Sequence, residues 1–245
     1  MKKPIFLFVC LLYSSYVLAW NPIPMSKSVA AEQKTFSMKI NNKNSDNIAA
    51  VKLKIVERTQ DEYGQDILKD TKDLLVLPKQ IIVHANKSSA VRVLIRKPNK
   101  SKYEKSYRLV AEGVPISKTK KEKSSISILM RYLTSIYLEP NIEKIENFNV
   151  ASFKLVDDKI QFKLANFGTH HKVFSPKNMV IFTDTKEVPM DNGNYLFNVL
   201  ANSVISVKIP LTQYEINSLK SAEHISLVNA CQECQENESY IVKAQ

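Results

Sequence analysis

Along most of the chain, apolar and polar residues alternate in short runs. Phe36, Met38 and Ile40 alternate with Ser37 and Lys39, and the run stops at Asn41-Asn42-Lys43-Asn44. Residues 49–56 repeat the pattern, with Val51, Leu53 and Ile55 on one side and Lys52 and Lys54 on the other. Shorter runs follow at 74–77, closed by Pro78, and at 80–84. Val91, Val93 and Ile95 then oppose Arg92, and Tyr107, Leu109 and Ala111 oppose Arg108 and Val110. The longest candidate covers residues 126–138. A period of two broken by turn residues predicts half-buried antiparallel strands. Seven of them before Pro140 fit an immunoglobulin-like sandwich of about 100 residues.

A second set of short runs lies at 152–156, 160–164, 179–182, 195–199, 203–209, 225–229 and 240–242. Residues 213–221 are the best helical candidate, and it is short. The predicted class is all-β, with two immunoglobulin-like β-sandwich domains in tandem. The corner Leu138-Glu139-Pro140-Asn141 divides them into residues 20–138 and 139–245.

Residues 1–19 change the picture. Lys2 and Lys3 precede an apolar run too short to span a bilayer, and Val17-Leu18-Ala19 is a small-residue cleavage pattern. The expectation is a signal peptide, a mature chain starting at Trp20, and an exported protein with no membrane insertion after cleavage. An uncleaved anchor is the alternative. The 245 residues hold 35 Lys+Arg and 24 Asp+Glu, a net charge of +11, of which Lys2 and Lys3 leave with the leader. Export makes nucleic acid a poor partner for that charge. Part of it sits in residues 118–123, Lys-rich and read as a solvated loop.

Export also permits disulfides. Cys231 and Cys234 are the cysteines left after the leader, and one small ring is expected of them. A redox motif would need a helix N-terminus in a βαβ unit, and zinc would need two more ligands. Four glycines supply no phosphate-binding loop, and four histidines little for a catalytic centre. His170-His171 reads as a loop pair, and Glu57, Asp61 and Glu62 as a solvated turn. No enzyme activity and no cofactor are expected.

Pro22-Ile23-Pro24, Asn41-Asn42, Leu77-Pro78, Ala90-Val91-Arg92-Val93, the run at 106–115, a charged loop, and Ile126-Ser127-Ile128-Leu129-Met130-Arg131-Tyr132 occur in that order. Together they resemble the PapD-like periplasmic chaperones of chaperone–usher pilus assembly. Tyr-Arg-Leu at 107–109 and Met-Arg-Tyr at 130–132 are closest to the archaic, Csu-type branch. The resemblance runs from Trp20 to about Pro140. Beyond it, length, strand pattern and Asn166-Phe167-Gly168 carry the likeness, and the cysteine pair resembles a disulfide of some members.

The resemblance implies two domains set like a boomerang, in the periplasm, with pilin subunits and an outer-membrane usher as partners. A subunit is a sandwich lacking one strand, and the chaperone lends a strand to its groove. Ile126, Ile128, Met130 and Tyr132 are the donor-strand candidates. The family anchors the subunit's C-terminal carboxylate with basic residues. Here that implies Arg108, with Arg131 second, since an arginine fork matches a carboxylate. The better-known branch uses an arginine in its first strand and a lysine in the donor strand. This chain has Lys27 and Ser135 there, so a role for Lys27 stays open. Arg92 is read as structural. The free protein could cap its donor strand by dimerising. An exported immunoglobulin-like adhesin or carbohydrate-binding module is the alternative, and a secreted hydrolase the weakest one.

Overall fold

A computed structural model describes residues 20–43, 45–116, 129–176, 179–183, 187–190, 195–220 and, for the backbone, 225–229. The expected leader, the loop at 118–123, Ile126, Ile128, Cys231, Cys234 and the run at 240–242 lie outside the described residues.

The first half packs two sheets face to face. One holds β1 (Asn21–Ile23), β3 (Thr35–Asn41), β8 (Ser88–Ile95) and β6 (Leu74–Leu77), in the order β1-β3-β8-β6. The other runs β2 (Ser26–Val29), β10 (Arg131–Leu138), β9 (Lys105–Val114), β4 (Ala49–Gln60) and β5 (Asp66–Asp70), with β7 (Gln80–Val83) also on β4. The alternating residues form the core between them. Phe36, Met38, Ile40, Val51, Leu53, Ile55, Val91, Val93, Tyr107, Leu109, Ala111, Ile136 and Leu138 are buried together. Each such aliphatic or aromatic side chain contributes roughly 1.5–3 kcal/mol by leaving water.

The second half has its own cluster, built around Phe153, Phe162, Leu164, Ile181, Ile205 and Ile209. Its sheets are β11 (Phe148–Val156)-β12 (Lys159–Asn166)-β17 (Ser203–Pro210), β13 (Lys172–Phe174)-β16 (Phe197–Val199), and β15 (Glu187–Pro189)-β14 (Met179–Thr183)-β18 (Ile225–Asn229). The helix α1 (Gln213–Lys220) starts at a reciprocal cap: Glu215 accepts from the Thr212 backbone at 2.6 Å, and Thr212 Oγ1 accepts from the Glu215 backbone at 3.3 Å. No helix among the described residues is long and apolar enough to cross a membrane.

Some elements differ from the sequence expectation. The alternation alone does not predict β1, β2, β5, β13 and β15. Each is three to five residues, and none carries a clean two-residue apolar alternation. Glu57 lies within β4 rather than in a turn. The turn is confined to 61–65, where Asp61 Oδ1 accepts from the backbones of Tyr63 and Gln65 at 2.9 and 2.8 Å. Gly64 closes it at φ 77°, a conformation open to glycine without strain. Of the strand read at 126–138, the described part is β10 from Arg131, and Gly113 N–H donates to Met130 C=O at 2.8 Å, one rung beyond.

Candidate functional site

Register decides which side chains share a face. Arg108 on β9 lies opposite Ser135 on β10 and Val56 on β4, while their neighbours Tyr107, Leu109 and Ile136 point into the core. Arg108, Arg58, Ser135, Leu133, Arg131 and Tyr137 therefore occupy the face turned away from that core.

Asp66 opens β5 and sits between two arginines. Its Oδ2 accepts from Arg108 Nε and Nη2 at 2.9 and 2.7 Å, and its Oδ1 accepts from Arg58 Nε at 2.6 Å. Arg108 Nη1 also donates to the Ser135 hydroxyl. The Arg58 side chain is 3% exposed, that of Arg108 17% and that of Asp66 21%. Two guanidiniums against one carboxylate leave one positive charge in excess in a sparingly solvated place. Coulomb attraction for an incoming anion is several-fold stronger there than in bulk water.

The second half of the chain closes over this face. Tyr137 Oη accepts from Asn198 Nδ2 at 2.7 Å and from Arg58 Nη1 at 3.3 Å. The Tyr137 ring stacks on His171, with centroids 3.8 Å apart and planes 8° apart. His171 Nδ1 in turn meets Glu104 Oε1 at 2.8 Å. Gln60 Nε2 donates to Asn198 C=O at 2.7 Å, Leu200 N–H to Gln60 Oε1 at 3.0 Å, and Ser206 N–H to Glu62 C=O at 2.7 Å. The β4–β5 hairpin thus carries Asp66 on one side and grips the second half with its tip.

The two predicted anchors are not brought together. Arg131 shares the face of Arg108 but stands four residues before Ser135, roughly 13 Å along the strand. Arg131 pairs with Glu112 at 3.1 Å, and both side chains are well exposed. Lys27 lies on β2, opposite Ile136. Met130 and Tyr132 are half-buried against the core of their own domain, and Trp20 meets Tyr132 edge-on at 5.0 Å. His170 and His171 go to Thr169 and Glu104.

The edge of β10 is the other element of the site. Since Gly113 N–H bonds Met130 C=O, the even residues of β10 exchange bonds with β9 and the odd ones turn to the opposite edge. β2 covers that edge only from Ser135, whose N–H donates to Met25 C=O at 3.1 Å. Among the described residues no strand pairs with Arg131 or Leu133 there. Ile23, Met25, Leu129 and Leu133 are exposed.

Asp66, Arg58 and Tyr137 were not singled out from the sequence.

Residues 28–142 match the family described as "Pili and flagellar-assembly chaperone, PapD N-terminal domain". This stretch, just under half of the chain, is similar to the N-terminal domain of PapD-type pilus chaperones. The match covers both strands of the site, β9 and β10. Solved structures with the same fold include the CsuC–CsuE chaperone–tip adhesion subunit pre-assembly complex from archaic Csu pili of Acinetobacter baumannii. It is 14% identical, covers 77% of this chain and 89% of that chain, and has a TM-score of 0.53. The Salmonella enterica SafA pilin–SafB chaperone complex is 10% identical, with coverage of 95% and 96% and a TM-score of 0.53. The class 5 fimbriae chaperone CfaA is 17% identical, with coverage of 93% and 99% and a TM-score of 0.51. No curated protein matches the chain in sequence. The fold outside the PapD-type domain follows the two-domain, immunoglobulin-like architecture of these chaperones.

Proposed function

We propose that the protein is a periplasmic chaperone that holds pilus subunits by strand addition and passes them to an outer-membrane usher. The observation that carries this reading is the edge of β10 at Arg131 and Leu133, which no strand among the described residues covers, in a stretch that matches the PapD N-terminal domain. A subunit strand laid along that edge gains main-chain hydrogen bonds whatever its sequence, while alternate side chains set specificity. Ile126, Ile128, Met130 and Tyr132 are the side chains proposed for the subunit's groove. Arg108 is the proposed anchor for the subunit's terminal carboxylate, being the arginine most sheltered from solvent after Arg58. Arg131 is a secondary contact at most, since it stands apart on the open strand. No energy source beyond binding is invoked, and a neighbouring subunit's strand releases the chaperone by replacing its own.

Backbone chemistry supplies the test. Leu133→Pro removes an N–H that faces the open edge, where proline is tolerated. Tyr132→Pro removes one that bonds β9. Co-expressed with a pilin subunit, the Leu133→Pro protein is expected to stay folded yet fail to protect the subunit from proteolysis, as is Arg108→Ala. Normal subunit yield with Leu133→Pro refutes strand addition at this edge. Two free copies are expected to pair through the same edge at high concentration. Gel-filtration elution as a monomer at every concentration would remove that part.

A further inference from the structure

We infer that Asp66 is a resident carboxylate that occupies Arg108 in the free protein and is exchanged for the terminal carboxylate of a bound subunit. The inference rests on reading Arg108 as the anchor and says what sets the strength of that anchor.

Arg108 is engaged before any partner arrives. A guanidinium has five N–H donors, and three of the nitrogens' bonds are accounted for: Nε and Nη2 to Asp66, Nη1 to Ser135. Nε and Nη2 form a side of the fork that a carboxylate takes with two parallel bonds. Asp66 fills that side with one oxygen only, Oδ2. An incoming carboxylate could use both of its oxygens there.

Exchange does not strand Asp66. Its other oxygen stays on Arg58 Nε at 2.6 Å, the shorter of its contacts, on a side chain almost fully buried. Arg58 is itself held by Tyr137 Oη. After exchange, each arginine has one carboxylate and the excess positive charge of the cluster is neutralised. Ser135 remains beside Arg108 and keeps its guanidinium plane in place. Asp66 therefore lowers the affinity of the site for carboxylates while sparing the free protein a poorly solvated, unpaired arginine.

The experiment uses the full mature chain and an N-acetylated hexapeptide of alternating Val and Thr with a free C-terminal carboxylate, beside its C-terminally amidated twin. Binding is followed by nuclear magnetic resonance. Asp66→Asn is expected to bind the free-acid peptide about three- to tenfold more tightly than the natural protein and to leave the amidated twin unchanged. Weaker or equal binding of the free acid by Asp66→Asn overturns the inference: Asp66 would then only position Arg108. If the natural protein does not discriminate between the twins and Arg108→Ala binds both as well, the anchor reading itself fails and the exchange with it. Should Asp66→Asn lose its cooperative urea transition, the natural protein suffices. The free-acid peptide is expected to shift the Arg108 Nε–H resonance and leave that of Arg58 in place. Bound peptide with both resonances unmoved refutes exchange.

Discussion

Tyr137→Phe isolates the bond network between the two halves of the chain. The ring is buried and stacked on His171, and phenylalanine keeps nearly all of that area. Only the hydroxyl is lost. It accepts from Asn198 Nδ2 at 2.7 Å, a good hydrogen bond, and from Arg58 Nη1 at 3.3 Å, a long one. Removing a buried acceptor costs about 1–3 kcal/mol for each donor left without a partner. Two features hold the cost down. Arg58 keeps Asp66 through Nε, and its bond to the hydroxyl is long to begin with. The expected destabilisation is therefore about 1–2 kcal/mol, well below the roughly 3–5 kcal/mol of deleting a whole aromatic ring.

The pair Tyr137→Phe and Asn198→Ala closes a double-mutant cycle. Asn198→Ala removes the amide but not the backbone carbonyl that Gln60 Nε2 uses. Urea unfolding of the four proteins is expected to give a coupling of about 1 kcal/mol. The hydroxyl joins the halves only if the two losses overlap. Coupling below about 0.3 kcal/mol, the ordinary scatter of independent sites, would refute the interface drawn from Tyr137.

Other consequences are as direct. A Cβ at Gly168 would lie 2.7 Å from Ile145 O and 3.1 Å from Asn147 N, because residues 167–169 hydrogen-bond the segment 145–147. Gly168→Ala should cost about 1–3 kcal/mol, and an unchanged calorimetric melting temperature would show that the segment yields freely. Arg131→Ala should leave stability within about 0.5 kcal/mol, since its pair with Glu112 is open to solvent. A larger loss in urea would place it in a packed role. Burial pushes the Tyr107 phenol well above its usual range, helped by the Asp73 carboxylate that accepts its hydrogen bond at 3.1 Å. Its contribution is present below the unfolded tyrosine value of about 10 and is lost as pH rises beyond it, so stability should fall more steeply above about pH 10 in the natural protein than in Tyr107→Phe. Equal slopes in urea midpoints would contradict this. Burial pushes Asp73 upward too, but Lys97, Tyr107 and Lys105 outweigh it and leave its carboxyl below the usual range. Its share is present above about pH 4 and is lost as pH falls through the lowered value, a loss that Asp73→Asn should abolish in acid titrations of the urea midpoint.

Much of the fold was visible as alternation. Phe36, Met38 and Ile40, then Val51, Leu53 and Ile55, then Tyr107, Leu109 and Ala111 were read as one-sided strands, and each trio is in the core. A two-residue period works because one face of each strand is buried and the other solvated. It fails where neither face follows that rule. β5 shows Asp66, Leu68 and Asp70 on one face and Ile67 and Lys69 on the other, and none of the five is fully buried. Nothing local marks Asp66 as a partner for Arg108, which is 42 residues away in sequence. Glu104 and His171, 67 residues apart, meet only through the packing of the halves. Both Arg108 and Arg131 are anchor candidates from the sequence, but nothing in it shows that one is sheltered and the other open.

That distinction matters for how binding at the site can be felt elsewhere. Asp66 begins the second strand of a hairpin whose first strand ends at Gln60, and whose turn holds Glu62 and Gly64. Gln60 and Glu62 bond the second half, and a Cβ on Gly64 would come within 2.9 Å of the Ile205 side chain. One short element therefore touches the candidate anchor through Asp66, on the rung next to the turn, and the second half through Gln60, its cross-strand partner, and through the turn itself. The hairpin transmits a change at Asp66 to the second half only if Asp66 has two discrete bonding states. The shared carboxylate supplies them: Asp66 on both arginines, or on Arg58 alone. Arg58 also holds Tyr137, which stacks on His171 of the second half, so a second route from Asp66 to that half runs through the buried guanidinium.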